Sequence, residues 1–148
     1  MPDILIFLVL MLLGYGFGTW AESRHYKSIH ERETKLRKLP VIMLKHPLPQ
    51  PGRLVKVQLA AGNVVISVDY FKRFLASLRN IFGGRVVSYE SLVDRARREA
   101  TLRMKESCPD ATQIINVRLE TSSISKSSKK GSIGSIEVFA YGTALTYK

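Results

Sequence analysis

The 148-residue chain carries 23 Lys/Arg against 12 Asp/Glu, a formal net charge of +11, and one cysteine. A single thiol excludes an internal disulfide framework and a thiolate cluster within one protomer, and this length leaves room for one domain plus an appendage. The charge is uneven: residues 1–20 carry −1, residues 21–56 carry +6 and residues 57–148 carry +6.

Residues 4–20, "ILIFLVLMLLGYGFGTW", contain no charge. As a helix they extend about 25 Å, at the short end of the range for a membrane span. The flank "MPD" has no Lys or Arg and carries Asp3. The run also exceeds the roughly 7–15 residues of a leader's apolar core. Residues 1–21 therefore read as a retained transmembrane anchor rather than a cleaved leader. Asp3 precedes the span, whereas Arg24, Lys27, Arg32, Lys35, Arg37 and Lys38 follow it, which places the N-terminus outside and the rest in the cytoplasm. Those six basic residues are the candidate membrane-surface contacts, each contributing on the order of 1 kcal/mol beside anionic lipid. The unpaired Cys108 agrees with a reducing compartment. Gly14 and Gly18 form a Gly-xxx-Gly pair on which a second helix can pack closely.

Residues 22–39 keep a helical pattern, with Tyr26, Ile29 and Leu36 at spacings of three and seven and the favourable pairs Glu31–Lys35 and Glu33–Arg37. This basic juxtamembrane helix ends before Pro40. Residues 40–52 form a connector stiffened by Pro47, Pro49 and Pro51, within which Val41 to Leu44 is apolar enough to dock on the domain or pair as an edge strand.

The domain occupies residues 53–148. "RLVKVQL" and "NVVISV" read as two strands joined by a turn at "AAG". Phe71, Phe74, Leu75, Leu78 and Phe82 mark a helix with Asp69 as its N-cap, and Ser88 is the candidate N-cap of a longer helix. That second helix places Leu92, Ala96, Ala100 and Met104 four apart, a narrow stripe against which something packs closely. "TQIINVRLETSSIS" predicts a strand with Ile114, Asn116, Arg118 and Glu120 on one face and Ile115, Val117 and Leu119 on the other. A basic loop, "KSSKKGSIG", leads to a closing strand with Gly142 as a bulge or close-contact point. The order β-β-α-α-β-β indicates an α+β fold, a mainly antiparallel sheet covered by two helices.

Catalysis finds no constellation. His25, His30 and His46 all precede the domain, Cys108 has no histidine near it in sequence, and Asp94, Glu99 and Glu106 belong to a charged helix surface. His25 and His30 are five apart, off the spacing that aligns two metal ligands on a helix, so no metal, cofactor or catalytic residue is assigned. "FGGRVVSYE" matches neither a Walker loop nor a dinucleotide loop, so Gly83-Gly84 reads as the turn between two helices. No aromatic-interleaved basic stripe supports nucleic-acid binding.

"FKRFLASLRNIFGGRVVSYESLVDRARREATLRMKESC", then "DATQIINVRLETSSI" and "YGTAL", resembles the YbjQ/UPF0145 family over residues 55–146. The resemblance is carried by Arg79, Gly83, Gly84, Arg85, Tyr89, Glu90, Ala96, Arg97, Ala100 and Gly142-Thr143-Ala144, matched in order. The chain departs from the family at "PDATQIINV", which lacks the glycines that relatives often carry at both ends of that segment. It departs again by adding the anchor, basic helix and connector. The resemblance implies a small α+β domain assembling into homopentameric rings, a family often labelled as heavy-metal-binding. The expectation is a membrane-anchored, ring-forming scaffold or binding module on the cytoplasmic face, without catalysis. Its partners are its own copies, the bilayer through residues 4–20 and other membrane proteins. Gly14, Gly18, Arg79, Gly83, Gly84, Arg85, Tyr89 and Glu90 are its candidate oligomer contacts. The alternative is a metal- or small-ligand-binding module with sites between protomers.

Overall fold

The computed structural model describes residues 2–67, 87–124 and 135–148. One continuous helix, α1 (Pro2–Lys35), joins the apolar run to the basic stretch with no break. It is long and apolar enough to cross a membrane. The domain contributes β1 (Leu54–Ser67), α2 (Val87–Glu106), β2 (Gln113–Ile124) and β3 (Ser135–Tyr147), forming an antiparallel sheet of order β1-β3-β2. The α+β class is as expected. The Phe-rich helix, its Asp69 cap, Arg79, Gly83, Gly84, Arg85 and the whole of the basic loop lie outside the described residues. Val87 is already helical, so Ser88 falls inside the first turn of α2 rather than just before it.

No hairpin forms at "AAG". β1 runs through it without a turn, pairing with β3 from Lys56 opposite Thr146 to Ser67 opposite Ser135. The small residues serve packing instead. Ala60, Gly62, Val64 and Ile66 turn inward beneath α2, whose Leu92, Ala96, Ala100 and Met104 form the narrow stripe. At Gly62 the helix backbone lies on the strand. A Cβ there would come within 2.6 Å of the Ala100 carbonyl oxygen and 2.7 Å of the Arg103 carbonyl carbon, and would also strike the Met104 nitrogen.

β2 departs from simple alternation. The register shifts between Ile115 and Arg118, and Asn116 takes a left-handed φ of 51°, a region that asparagine tolerates better than most residues. The extra residue turns the later side chains over. Ile114 thus joins Val117 and Leu119 on the helix-facing core, while Ile115 falls outside that cluster. This corrects the expected grouping of Ile114 with Arg118 and Glu120. Gly142 of β3 lies opposite: a Cβ on it would sit 2.8 Å from Val117 Cγ2 and 3.0 Å from the Ile115 carbonyl oxygen. It is the close-contact point anticipated.

The connector packs against the domain. Val41 makes a parallel bridge to Ile114. Ile42 N–H donates to Ile114 O at 2.9 Å, Ile114 N–H to Pro40 O at 3.0 Å and Asn116 N–H to Leu44 O at 2.8 Å. Gln113, fully buried, then holds Leu48 from both sides, accepting from its N–H at 2.9 Å and donating to its carbonyl at 3.1 Å. Gln113→Ala leaves both groups of Leu48 without that partner. It is expected to destabilise the docked connector by about 2 kcal/mol, read as accelerated amide exchange over residues 40–48 with exchange in β1 unchanged.

Candidate functional site

Two surfaces stand out: the joint where α1 lies along α2, and the uncovered part of the sheet. At the joint α1 and α2 run in the same direction, because contacts between them keep a nearly constant offset in sequence. Arg32 pairs with Glu99, Glu33 with Arg98, and Leu36 O with Lys105 Nζ, at separations of 67, 65 and 69 residues. Ile29 is the fully buried anchor of α1 at this level.

Glu99 is the centre of the joint. It is 3% exposed, and a buried carboxylate persists only with partners. It has Arg32 from α1, Arg103 Nε at 2.9 Å from its own helix, and His25 Nε2 at 3.9 Å. Arg103 also donates to Asn63 O of β1 at 2.8 Å, so one network ties α1, α2 and the sheet together. Burial pushes the Glu99 carboxyl up, but hydrogen bonds from Arg32 and Arg103 outweigh it and hold the group below its ordinary value. Burial, then the charges of Arg95, Arg32 and Arg103, keep His25 low against the opposing pull of Glu99. A second clasp joins Arg98 to both oxygens of Glu33, at 2.8 and 2.6 Å, the bidentate geometry that is strongest for such pairs. Beside it lies a cavity of 240 Å³ lined by Glu33, Arg97, Arg98, Thr101, Leu102 and Lys105.

Among the described residues the sheet is covered on one side, by α2. On the other, Val57, Leu59, Val65 and Phe139 remain exposed, Leu59 at 73%, and Phe139 stacks with Tyr141 at 5.3 Å. The lateral edges are apolar too. Among the described residues β1 has no neighbour beyond β3. At the far edge the ladder from the connector to β2 uses Pro40, Ile42 and Leu44, so the backbone groups of Val41 and Met43 face away. Met43 and Leu44 are exposed there at 72% and 66%.

The expected site residues divide accordingly. Arg32 is drawn into the domain, pairing with Glu99 and, at 3.4 Å, with Glu106. Arg24, Lys27, Lys35, Arg37 and Lys38 remain exposed on and just after α1, with Arg24 over the Trp20 ring at 5.5 Å. Gly14 stands open on α1, Gly18 is half-buried, and Tyr89 and Glu90 lie in the first turn of α2. Sequence reasoning assigned Glu99 to a solvated surface. The available signal was its position one helical turn before Arg103 and one residue from the buried Ala100.

Cys108 is buried, its thiol donating to Met104 O at 3.4 Å, and burial pushes its pKa up, which suits packing rather than reactivity. Among the described residues no three His, Cys, Asp or Glu side chains gather as metal ligands. His25 faces arginines, and the lone thiol points back into its own helix. These donors do not fit a heavy-metal site within the described part of one protomer.

Fold and joint together define a small α+β module, a three-stranded antiparallel sheet packed on α2 and joined to an N-terminal apolar helix. The chain belongs to the YbjQ (UPF0145) family: the family model, described as "Putative heavy-metal-binding", matches residues 51–148. It is 39% identical over 99 residues to a UPF0145 protein of Hahella chejuensis, covering 64% of this chain and 88% of that one. A UPF0145 protein of Halobacterium salinarum is 39% identical over 100 residues, with 65% and 89% covered. One from Pyrococcus furiosus is 33% identical over 108 residues, with 71% and 89% covered. A crystal structure of a protein of unknown function from Pediococcus pentosaceus is similar at a TM-score of 0.37 and 15% identity, covering 74% of this chain and 98% of that one. That likeness is too distant to bear on the site.

Proposed function

We propose that this protein is a single-pass, membrane-anchored scaffold whose cytoplasmic domains assemble side by side, without catalysis. The observation that carries this reading is the pair of apolar edges at opposite ends of one sheet, neither of which has a further strand beside it among the described residues. Exposed apolar edges are templates for pairing with another chain. The connector edge of one copy and the β1 edge of the next are different surfaces, so their union is head-to-tail and closes into a ring when the rotation permits. The anchor supports the same reading, because it holds every copy in one plane with one orientation and raises the local concentration of weakly pairing domains. The connector is parallel to β2, and β2 is antiparallel to β3 and so parallel to β1. The new contact in a ring is therefore parallel.

Crosslinking tests the reading with Met43→Cys and Val57→Cys, both at exposed positions, while the buried Cys108 stays out of reach. In detergent, the double variant is expected to give a ladder of covalent oligomers with a short bis-maleimide, and each single variant is expected to stay monomeric. A dimer from Val57→Cys alone, with no ladder from the double variant, replaces the ring by a symmetric edge-to-edge pair. A monomer by light scattering with the anchor intact removes self-assembly altogether.

The family description favours a second reading, a metal or small-ligand site completed between protomers. Titration of the assembled protein with Zn²⁺, Cu⁺ or Ni²⁺ separates the two: absence of both binding heat and any rise in melting temperature leaves the scaffold alone.

A further inference from the structure

His25 Nδ1 and Arg95 Nε are closed off from solvent, and neither has a hydrogen-bond partner. Buried polar groups in native folds are nearly always satisfied, and an exception points to an ion or water that belongs there. The two side chains belong together: with α1 and α2 offset by 65–69 residues, Arg95 stands level with residues 26–30, within about a turn of His25, and its charge is the largest that His25 feels. Glu99, the carboxylate facing His25, is already taken by Arg32 and Arg103. Arg95, Arg32 and Arg103 thus all bring positive charge to bear on His25. Both side chains are half-buried, so the notch opens to the surface beside the closed atoms.

Its height on α1 indicates the ligand. The uncharged run ends at Trp20, and His25 follows about 7.5 Å further along the helix axis. The headgroup layer on each side of a bilayer is roughly 5–8 Å deep, so the notch lies at the depth of lipid phosphates. Arg24 and Lys27, exposed at the same level, add to the positive field. Arg32 Nε is also without a partner, but it is about 18 Å beyond Trp20, and its guanidinium is committed to Glu99 and Glu106.

We infer that His25 and Arg95 form a phosphate-binding notch between α1 and α2, which in the membrane takes the headgroup phosphate of an anionic phospholipid. Phosphate oxygens accept from the Arg95 Nε–H and from the Nδ1–H of a neutral His25 ring, satisfying both orphaned atoms with hydrogen bonds to a charged acceptor. This assignment rests on the anchored reading above, but its chemistry needs only a phosphate.

Native mass spectrometry of the full chain in detergent tests it, with phosphatidylglycerol, phosphatidylcholine and inorganic phosphate as probes. Phosphatidylglycerol is expected to be retained about tenfold more strongly than phosphatidylcholine, the effect of one charge-assisted hydrogen bond. Arg95→Gln and, separately, His25→Gln are expected to erase that preference, and Arg118→Gln, at an exposed position on β2, to keep it, all with unchanged melting temperatures. Inorganic phosphate binding that Arg95→Gln abolishes, with no lipid preference, assigns the notch to free phosphate instead. No preference among lipids and no phosphate binding overturns it, as does a preference that survives both notch variants. Alkaline carbonate extraction is the separate arm: if the wild-type chain leaves the membrane, the anchor reading fails while the phosphate measurement still reports on the notch.

Discussion

Gly62→Ala is expected to lower the melting temperature by about 10 °C, corresponding to about 3 kcal/mol of lost stability. The contacts its Cβ would meet are backbone atoms of α2: the Ala100 carbonyl oxygen, the Arg103 carbonyl carbon and the Met104 nitrogen. Backbone inside a packed helix cannot swing away as a side-chain tip can. The added methyl must therefore push α2 off the sheet along the whole stripe from Leu92 to Met104. Gly14→Ala is the matched control, because nothing lies within 4 Å of the position its Cβ would take. Thermal unfolding followed by circular dichroism on the full chain in detergent checks both. A shift under about 2 °C for Gly62→Ala would mean that the helix has room to retreat.

Glu99→Gln is expected to release α1 from α2, at a cost of about 2 kcal/mol. Breaking a buried ion pair by removing one partner costs about 3–5 kcal/mol, and the lower figure applies because Arg32 and Arg103 remain 26% and 49% exposed and reach water. The variant leaves those two arginines beside Arg95 and His25 with no carboxylate between them. Hydrogen exchange should then accelerate over residues 24–36 before it does in the sheet. The coupling energy from a Glu99→Gln, Arg32→Met double-mutant cycle isolates the pair.

Acid acts on the same joint in two stages. His25 has a folded pKa below its ordinary 6.5, so its contribution is complete above pH 6.5 and is lost as pH falls through the lowered value. The groups facing it are Arg32 on its own helix and Arg95, Glu99 and Arg103 on α2. Glu99 and Glu33 also titrate below their ordinary 4.5. Their contributions are complete above that pH and are lost below it, in the second and larger stage. Docking should therefore be stable at neutral pH and weaken on acidification, with His25→Gln removing the first stage only. A joint that tightens between pH 6.5 and 5 would contradict this.

The sequence was most informative where short-range patterning decides the outcome. The apolar N-terminal helix, the long second helix, its small-residue stripe, the strand character of the connector at Val41 and the close approach at Gly142 all follow from periodicity and side-chain size. Three features escaped it because they depend on partners distant in the chain. "AAG" reads as a turn by composition, yet these residues are small because a helix backbone lies on them. Asn116 gives little local sign of a bulge, and the strand turns over there because β3 and the connector fix its register on both sides. Glu99 reads as one more charge on a polar helix until α1 brings Arg32 and His25 against it.

The amino-acid order by itself determined the family, the α+β class and a helix able to span a bilayer, because each rests on local pattern or on motifs in fixed order. Only the tertiary structure decided that the stalk lies along α2 rather than standing clear of it, and that one edge of the sheet is lined by the chain's own connector. It alone brought His25 within range of the Arg95 charge, just beyond the apolar run. The physical reason is the same in each case. A salt bridge, a ladder hydrogen bond and an orphaned donor are relations between residues some 65 to 75 positions apart, and no window of sequence contains both members.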